Sequence, residues 1–507
     1  MNQKICIYWC RRDFRLSDNP ALWEAVNYSL VNNIPFVPIY ILDTQVLQEN
    51  VGYTRRLFLS KVLASFTKKF PNFWITYGEH TDILKKICEN WDVEIFCNDD
   101  IEPYSIIRDK KINDILIKYN KKLNSFQDQL TVSKNTISGT GSIYTMFTPF
   151  KNTVINDFLS AKIYSKVDPE KIFCLNFDCN LELKKLGIET IDSNSDEEVL
   201  QQSIFRKIDS RFFICVEDRQ KTIDFKIDLD QCFPRPKIDK WLFSEDETLY
   251  LFDKFNQERI LNYKDGRDNL ELEDGTSSMS VALKWGLVSA RSLKDKILQL
   301  HPNTQSLLLQ KIPREEQNGL ISYISELIWR EFYKYILYHF PDSLGIEFQP
   351  KFRNKIAWVE PETAFYRFQA WIKGETGYPL VDAAMHQIRQ IGWMHNRTRM
   401  LVASVLTKNL GVDWLWGQEY FRQVLVDLDE ASNNGGWQWA ASTGADPKPI
   451  RIFNPYLQAE KYDPNRVYQN KWLPKDYSVW QPIVDHKQAR QEALIRYGLA
   501  DKGVRDY

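Results

Sequence analysis

Two stretches of this chain gather side chains of unlike chemistry. In Ile391–Leu406 (IGWMHNRTRMLVASVL) the spacing predicts a helix with Trp393, Asn396, Arg397 and Met400 on one face. That face would join an aromatic plane, an amide, a guanidinium and a thioether. From His386 to Val412 there is no acidic residue, while Arg389, Arg397, Arg399 and Lys408 are basic. A locally positive, partly apolar surface suits a phosphate backbone with an unstacked base beside it. An amphipathic helix with salt-bridged arginines meets the pattern equally well. The second stretch is Asp427–Trp439 (DLDEASNNGGWQW). Its Asn-Asn-Gly-Gly centre predicts a non-helical segment, because two glycines cost about 2 kcal/mol relative to alanine inside a helix. Such a backbone can approach a flat group closely. Asp427, Asp429, Asn433 and Asn434 carry groups that match the polar edge of a heteroaromatic ring. Pairing of Asp427 with Arg399 is a structural role that can coexist with this one.

Two further stretches carry weaker signals. Thr276–Ser280 (TSSMS), after Gly275, reads as a hydroxyl-rich helix start, a site for phosphate or an ordinary cap. Glu326 and Trp329, in SELIWREFY, stand at i and i+3 of a helix. Trp329 offers a stacking plane. Glu326 offers a carboxylate in apolar surroundings, where its pKa would rise and it could donate a hydrogen bond; a buried structural Glu is the competing role.

The elements that must position these groups divide the chain in three. Ile5–Cys10, Pro35–Leu42, Phe73–Tyr77 and Val93–Cys97 read as buried strands, separated by helical stretches near 20–33, 53–70, 81–91 and 104–120. That alternation predicts a parallel, Rossmann-like sheet with helices on both faces, over residues 1–135. No G-x-G-x-x-G follows the first strand, so the dinucleotide fingerprint is absent. Residues 136–238 are expected to form a long linker with short helices, polar and irregular from about Asp168 to Pro236 and including the acidic run Asp192–Glu198. Residues 239–507 read as a larger all-helical domain.

The 507 residues exceed one core, and 43% hydrophobic with 26% charged residues describes a soluble globular chain. With a net charge of −1, any nucleic-acid surface must be local. No apolar run reaches the ~20 residues of a membrane span, and no signal-peptide pattern opens the chain. Cys6, Cys10, Cys88, Cys97, Cys174, Cys179, Cys215 and Cys232 form no CxxC pair and are expected to be reduced and buried, with no metal site. Eight tryptophans (Trp329, Trp358, Trp371, Trp393, Trp414, Trp416, Trp437, Trp439) crowd the helical half. An aromatic core, a stacking pocket or an electron path would each use them.

Together these stretches resemble the photolyase/cryptochrome family. YWCRRDFRLSDNPAL (Tyr8–Leu22) is similar to the family's opening strand and loop. SELIWREFY, GETGYPLVDAAMHQI, GWMHNRTRM, NNGGWQWAASTG and RIFNPYLQAEKYD follow in the family's order from Ser325 to Asp463. The resemblance implies an FAD folded into a U in the helical domain. It places Tyr263, Thr276, Ser277, Ser278, Met279 and Ser280 at the phosphates. Asp427, Leu428 and Asp429 would lie along the ring and ribityl chain, with Arg399 paired to Asp427 and Asn433 at the flavin N5. It implies an electron relay Trp437–Trp414–Trp358. A flipped-out pyrimidine dimer would meet Glu326, Trp329, Tyr333, Trp393, Asn396, Arg397 and Met400, with Arg267 and Gln458 on the DNA, and Glu326, Asn433 and Met400 the residues closest to the chemistry.

Within the family, the positions that hold two histidines in (6-4) repair are Asn396 and Met400 here. Asn433 stands where plant-type receptors have Asp, and the helical half lacks the cysteines of the iron–sulfur branch. The expectation is therefore cyclobutane-dimer repair by a cytoplasmic monomer, nucleoid-associated when on DNA, with a blue-light receptor as the alternative. Ser278 and Val281 replace the usual Arg and Pro of the phosphate turn, and Glu430 replaces a small or apolar residue. Tyr104-Ser105 stands where folate-binding members carry Asn-Glu, which argues against a folate antenna and leaves a deazaflavin, another flavin or none.

Overall fold

The computed structural model describes residues 3–43, 46–47, 51–70, 73–175, 183–184, 186–191, 197–205, 213–217, 224–228, 236–310, 318–445, 450–478 and 481–499. Cys179, Cys232 and residues 192–196 of the acidic run lie outside them.

The first strand, β1 (Lys4–Trp9), is buried from Ile5 onward, and its side chains alternate between two cores. Ile5, Ile7 and Trp9 meet Ile83, Ile87, Ile112 and Leu116 of the helices His80–Asn90 and Pro103–Ile117. Cys6, Tyr8 and Cys10 belong to the opposite core with the helices Pro20–Asn32 and Tyr53–Thr67. A period of two with both faces covered explains why these strands are apolar throughout. With β2 (Phe36–Leu42), β3 (Trp74–Tyr77), β4 (Asp92–Asn98) and β5 (Leu123–Phe126), β1 forms a parallel array in the order β5-β4-β1-β2-β3. This is the doubly wound order, and strand succession reverses between β1 and β4.

The segment 136–238 contributes structure to its neighbours. Its strand β6 (Glu189–Ile191) pairs antiparallel with β3 at the sheet edge. Its helix Phe147–Ser160 stacks Phe147 on Trp329 with ring centroids 3.6 Å apart, against the long helix Gly319–His339. Helices fill the chain beyond, and no described helix is long and apolar enough to cross a membrane. Cys6, Cys10, Cys88 and Cys97 are buried free thiols, and burial pushes Cys88 up to about 11.

The loop after β1 locks sheet to helices. Asp13 accepts the Tyr8 hydroxyl at 2.8 Å and the Arg11 amide at 2.7 Å, and Asn98 donates to Asp13 and Asn19. Beyond this knot, Arg15 and Arg291 both reach the same oxygen of Asp128 at 2.6 Å, and Arg291 also holds Asp18 at 2.9 Å. Burial alone would raise the Asp128 carboxyl, yet the two guanidiniums hold it below the ordinary range. Removing one charge would leave two guanidiniums, each at most 6% exposed, without their shared counterion.

We therefore expect Asp128→Asn to lower the free energy of unfolding by about 3–5 kcal/mol in urea denaturation. The carboxyl is depressed in the folded state, so its contribution is complete above the unfolded value of about 3.9 and disappears as pH falls through the folded value. The wild-type excess over the variant should thus shrink below about pH 4. An excess that is absent at neutral pH, or unchanged in acid, would contradict the assignment.

Candidate functional site

The Asn-Asn-Gly-Gly stretch is helical, contrary to the expectation from glycine. Helix Glu430–Ala440 starts at Asp429, whose Oδ1 accepts from the Ser432 amide at 3.0 Å. A Cβ at Gly435 would lie 2.1 Å from Cδ1 of Tyr333, so the missing side chain makes room for that ring on the Gly319–His339 helix. Tertiary packing offsets the helix propensity that the sequence reading applied. The predicted helix Ile391–Leu406 also differs. Gly392, at φ +64°, ends the Pro379–Ile391 helix, and the next helix begins at Asn396 with His395 as its cap. Trp393 thus lies in the connection, not on the helix face with Asn396, Arg397 and Met400. A π-helical turn, Val405–Asn409, continues the Asn396–Ser404 helix.

Arg399 holds both oxygens of the buried Asp427, at 2.9 and 3.1 Å, and donates to the Met394 carbonyl at 2.8 Å. Leu428 is buried beside it. Asp429, whose Oδ1 serves the cap, gives Oδ2 to Lys334 at 3.0 Å. Burial would raise Asp429, but Lys334 and neighbouring cations hold it far below the usual carboxylate range. Asn433 donates through Nδ2 to the Gln418 carbonyl at 3.1 Å, which fixes the amide and leaves Oδ1 buried without a hydrogen-bond partner. Asn434 is structural, donating to Ser343 Oγ and accepting from Gln438. Glu430, unexplained in the sequence, is clasped by Arg422 at 2.9 and 3.1 Å.

The hydroxyl-rich turn lies close by. A Cβ at Gly275 would meet the Gly266 carbonyl oxygen at 2.4 Å, so glycine lets this turn close onto the Tyr263–Gly266 helix. Ser277 Oγ and the Tyr323 hydroxyl are 2.9 Å apart, and Tyr323 packs edge-on against Tyr263 at 5.0 Å. Ser278 adopts φ +55°, Met279 is buried, and the helix starts at Ser280, with Thr276 in the bend that precedes it. Ser280 Oγ receives the Trp393 indole N–H at 3.2 Å, which joins this turn to the Ile391–Asn396 connection.

A cluster of partly exposed side chains adjoins the turn, with the Arg267 guanidinium 5.5 Å from the Tyr263 ring centre. Glu326 is ion-paired with Arg267 and about a third exposed (34%), not an isolated carboxyl in apolar surroundings. Arg397 is held by Asp268 through Nη2 at 2.5 Å and Nε at 3.2 Å, with its guanidinium 4.3 Å from the Tyr462 ring centre. Asn396 Nδ2 lies 3.9 Å from Met400 Sδ, and Trp329 and Tyr333 continue the wall on the Gly319–His339 helix. Gln458, expected on the DNA surface, is buried on the helix Pro455–Tyr462. Sequence reading missed Asp268 and Lys334. The acid-free run around Arg397 was a signal that its counterion had to come from elsewhere.

The tryptophans separate by environment. The Trp437 ring packs on the Gly417 backbone, where a Cβ would lie 2.0 Å away. Trp414 begins the same helix, Trp414–Val424, fully buried and donating its indole N–H to Glu347 at 3.3 Å. Trp358, partly buried, meets Tyr497 edge-on at 6.2 Å. Trp437 also meets Trp371 at 6.1 Å.

A cavity of about 390 Å³ opens at the carboxyl ends of β1 and β4, where strand order reverses. Trp9, Arg11, Tyr40, Tyr104, Ser105 and Arg108 line its sheet side, and Lys284, Leu428 and Glu430 its helical side. Arg11 and Arg108 lie 4.7 and 5.0 Å from the Trp9 ring centre.

Comparison with known proteins agrees with the two-part fold. The profile for DNA photolyase matches residues 6–169, and that for the FAD binding domain of DNA photolyase matches residues 323–481. The deoxyribodipyrimidine photo-lyase of a Synechococcus strain is 32% identical over 92% of this chain and 87% of its own length. That of Escherichia coli is 31% identical over 98% of this chain and 99% of its own. A class III photolyase from Agrobacterium tumefaciens superposes with a TM-score of 0.75 at 27% identity, covering 99% of both chains. An archaeal photolyase from Sulfolobus tokodaii, solved with two FAD molecules, gives 0.71 at 26% identity over 97% of this chain and 99% of its own. The doubly wound sheet, the helical half with its Arg399–Asp427 clasp and free Asn433 oxygen, and these matches together place the chain in the photolyase/cryptochrome family.

Proposed function

We propose that this chain repairs cyclobutane pyrimidine dimers in DNA with blue light, using FAD. The observation that carries the reading is Asn433 Oδ1, a buried acceptor without a partner, fixed in orientation by the Gln418 carbonyl. A buried acceptor left unmade costs about 1–3 kcal/mol, so it is expected to have a partner in the working protein. A protonated flavin N5 is such a donor, and Asn433 would favour the reduced ring that keeps its proton there. Bound FAD supplies light-driven donation of one electron to the dimer. Tyr263, Thr276, Ser277, Ser278, Met279 and Ser280 hold the phosphates, while Arg399, Asp427, Leu428 and Asp429 line the ring and ribityl portion. Asp427 acts through its clasp with Arg399, and Asp429 chiefly by capping the helix that carries Asn433.

The cluster around Glu326, Trp329, Asn396, Arg397 and Met400 receives the extruded lesion. Damaged pairs unstack at low cost, and a flipped dimer needs an apolar plane with polar groups at its edge. Trp329, Trp393 and Met400 provide the apolar surface, and Glu326, Asn396 and Arg397 the polar one, with Tyr333 behind them. Arg267 engages the DNA backbone; Gln458, being buried, would need local opening to do so. With Asn396 and Met400 where (6-4) repair uses histidines, the pocket lacks that reaction's proton donor. Trp437, Trp414 and Trp358 carry electrons inward from the surface to restore the reduced ring. Residues 1–135, joined by the linker 136–238 to the helical half, would carry any antenna, a deazaflavin or another flavin: the cavity beside Trp9 offers aromatic walls, with Arg11 and Arg108 paired to Asp109 at its rim. The enzyme acts as a monomer on DNA in the cytoplasm.

Chemically reduced protein should restore thymine absorbance to a dimer-containing oligonucleotide in blue light and not in the dark. Absence of restoration by a protein that binds FAD and photoreduces it would favour a receptor. Glu326→Ala should lower repair about tenfold or more, the equivalent of one charged hydrogen bond, with FAD content unchanged. Trp358→Phe should slow photoreduction of oxidised protein while sparing repair by protein reduced beforehand; a normal photoreduction rate would place the end of the relay elsewhere.

A further inference from the structure

The side chains proposed to meet the lesion include two guanidiniums, and each of them carries a carboxylate. Arg267 is bound to Glu326 and Arg397 to Asp268, and Arg267 Nε lies 4.0 Å from Asp268 as well. The four side chains form an alternating chain, Glu326–Arg267–Asp268–Arg397, whose members are between 15% and 34% exposed. Nothing else about them requires this arrangement for folding: both acids reach solvent, and the Arg397 guanidinium is already seated on Tyr462. In this state neither arginine is free to neutralise a phosphate.

We propose that Asp268 and Glu326 are specificity-determining residues that hold Arg397 and Arg267 away from intact DNA until an extruded lesion displaces the pairs. The proposal rests on the repair reading for the identity of the lesion. An intact duplex offers phosphates but nothing to occupy the pocket, so recruiting either arginine means breaking an ion pair for a phosphate contact of similar strength. An extruded dimer changes the exchange. Its carbonyl and imide edge gives Glu326 and Arg397 new partners inside the pocket, and its flanking phosphate takes Arg267. Before that exchange Asp268 acts as a positioning residue: it holds the Arg397 guanidinium over the Tyr462 ring without itself touching the lesion.

The test is binding of FAD-loaded protein in the dark to intact and to dimer-containing duplexes over a range of salt concentration. Asp268→Asn should bind intact duplex about two- to fivefold more tightly at low salt, since exposed pairs of this kind are weak but not negligible. The dependence of log affinity on log salt should steepen by about one for the freed arginine. Affinity for the dimer duplex should rise less, so discrimination falls. The gain should vanish in Asp268→Asn/Arg397→Gln, and Asp268→Glu should restore the wild-type slope. Glu326→Gln should act likewise through Arg267, which keeps the proposal testable if Asp268→Asn folds poorly. Intact-duplex affinity and salt slope at the wild-type level in both single variants, with FAD content and melting temperature unchanged, would overturn it. Failure of the wild-type protein to prefer the dimer duplex would instead count against the repair reading, and the intact-duplex gain would still uphold the pairing.

Discussion

Everything at the two candidate sites depends on a carboxylate that touches neither. Asp128 is shared by Arg15, from the loop after β1, and Arg291, from the helix Ala290–Leu300, and Arg291 carries the contact on to Asp18. Around it, Glu245 accepts from the Leu16 and Ser17 amides, and Glu331 accepts from the Thr131 and Val132 amides. Buried charges of this kind contribute little net stability over an apolar replacement, but they are costly to half-remove. They therefore specify one way for sheet and helices to meet, and a contact that admits one geometry is what two sites on opposite sides of a boundary require.

That geometry makes the Asp427–Asn433 segment common to both. Leu428 and Glu430 stand at the wall of the cavity beside Trp9, while Asp427 is clasped by Arg399 and Asn433 by the Gln418 carbonyl. Glu430 and its partner Arg422 thus belong to the cavity side, where the acid is paired and not buried alone.

What the sequence made legible follows from the physics of each element. β1 to β4 were readable because strands buried on both faces must be apolar throughout, and their helices because Pro20 and Pro103 mark starts. β5 (LNSF) and β6 (ETI) were not, because an edge strand needs no apolar pattern. The residue types at the candidate site were legible, but their partners were not. Arg397 declared a need for a counterion without naming Asp268, more than a hundred residues away, and Asp429 gave no sign of Lys334. Ion pairs between distant segments leave no periodic trace.

The misreading of Asn433–Gly436 shows why such a site resists local rules. A glycine pair penalises the helix by about 2 kcal/mol when the helix stands alone. Here Tyr333 occupies the volume a side chain at 435 would need, so any larger residue would push the Gly319–His339 helix away. The same helix holds Glu326 and Trp329 on one side and Lys334, the partner of Asp429, on another. Weak local propensity is thus the condition for close approach, and close approach sets Glu326 and Trp329 on a helix facing the one that carries Asn433. Asn433 is the consequence: its amide is aimed by a backbone carbonyl from a third helix, so its free oxygen points where the fold, not its own rotamer preference, directs it.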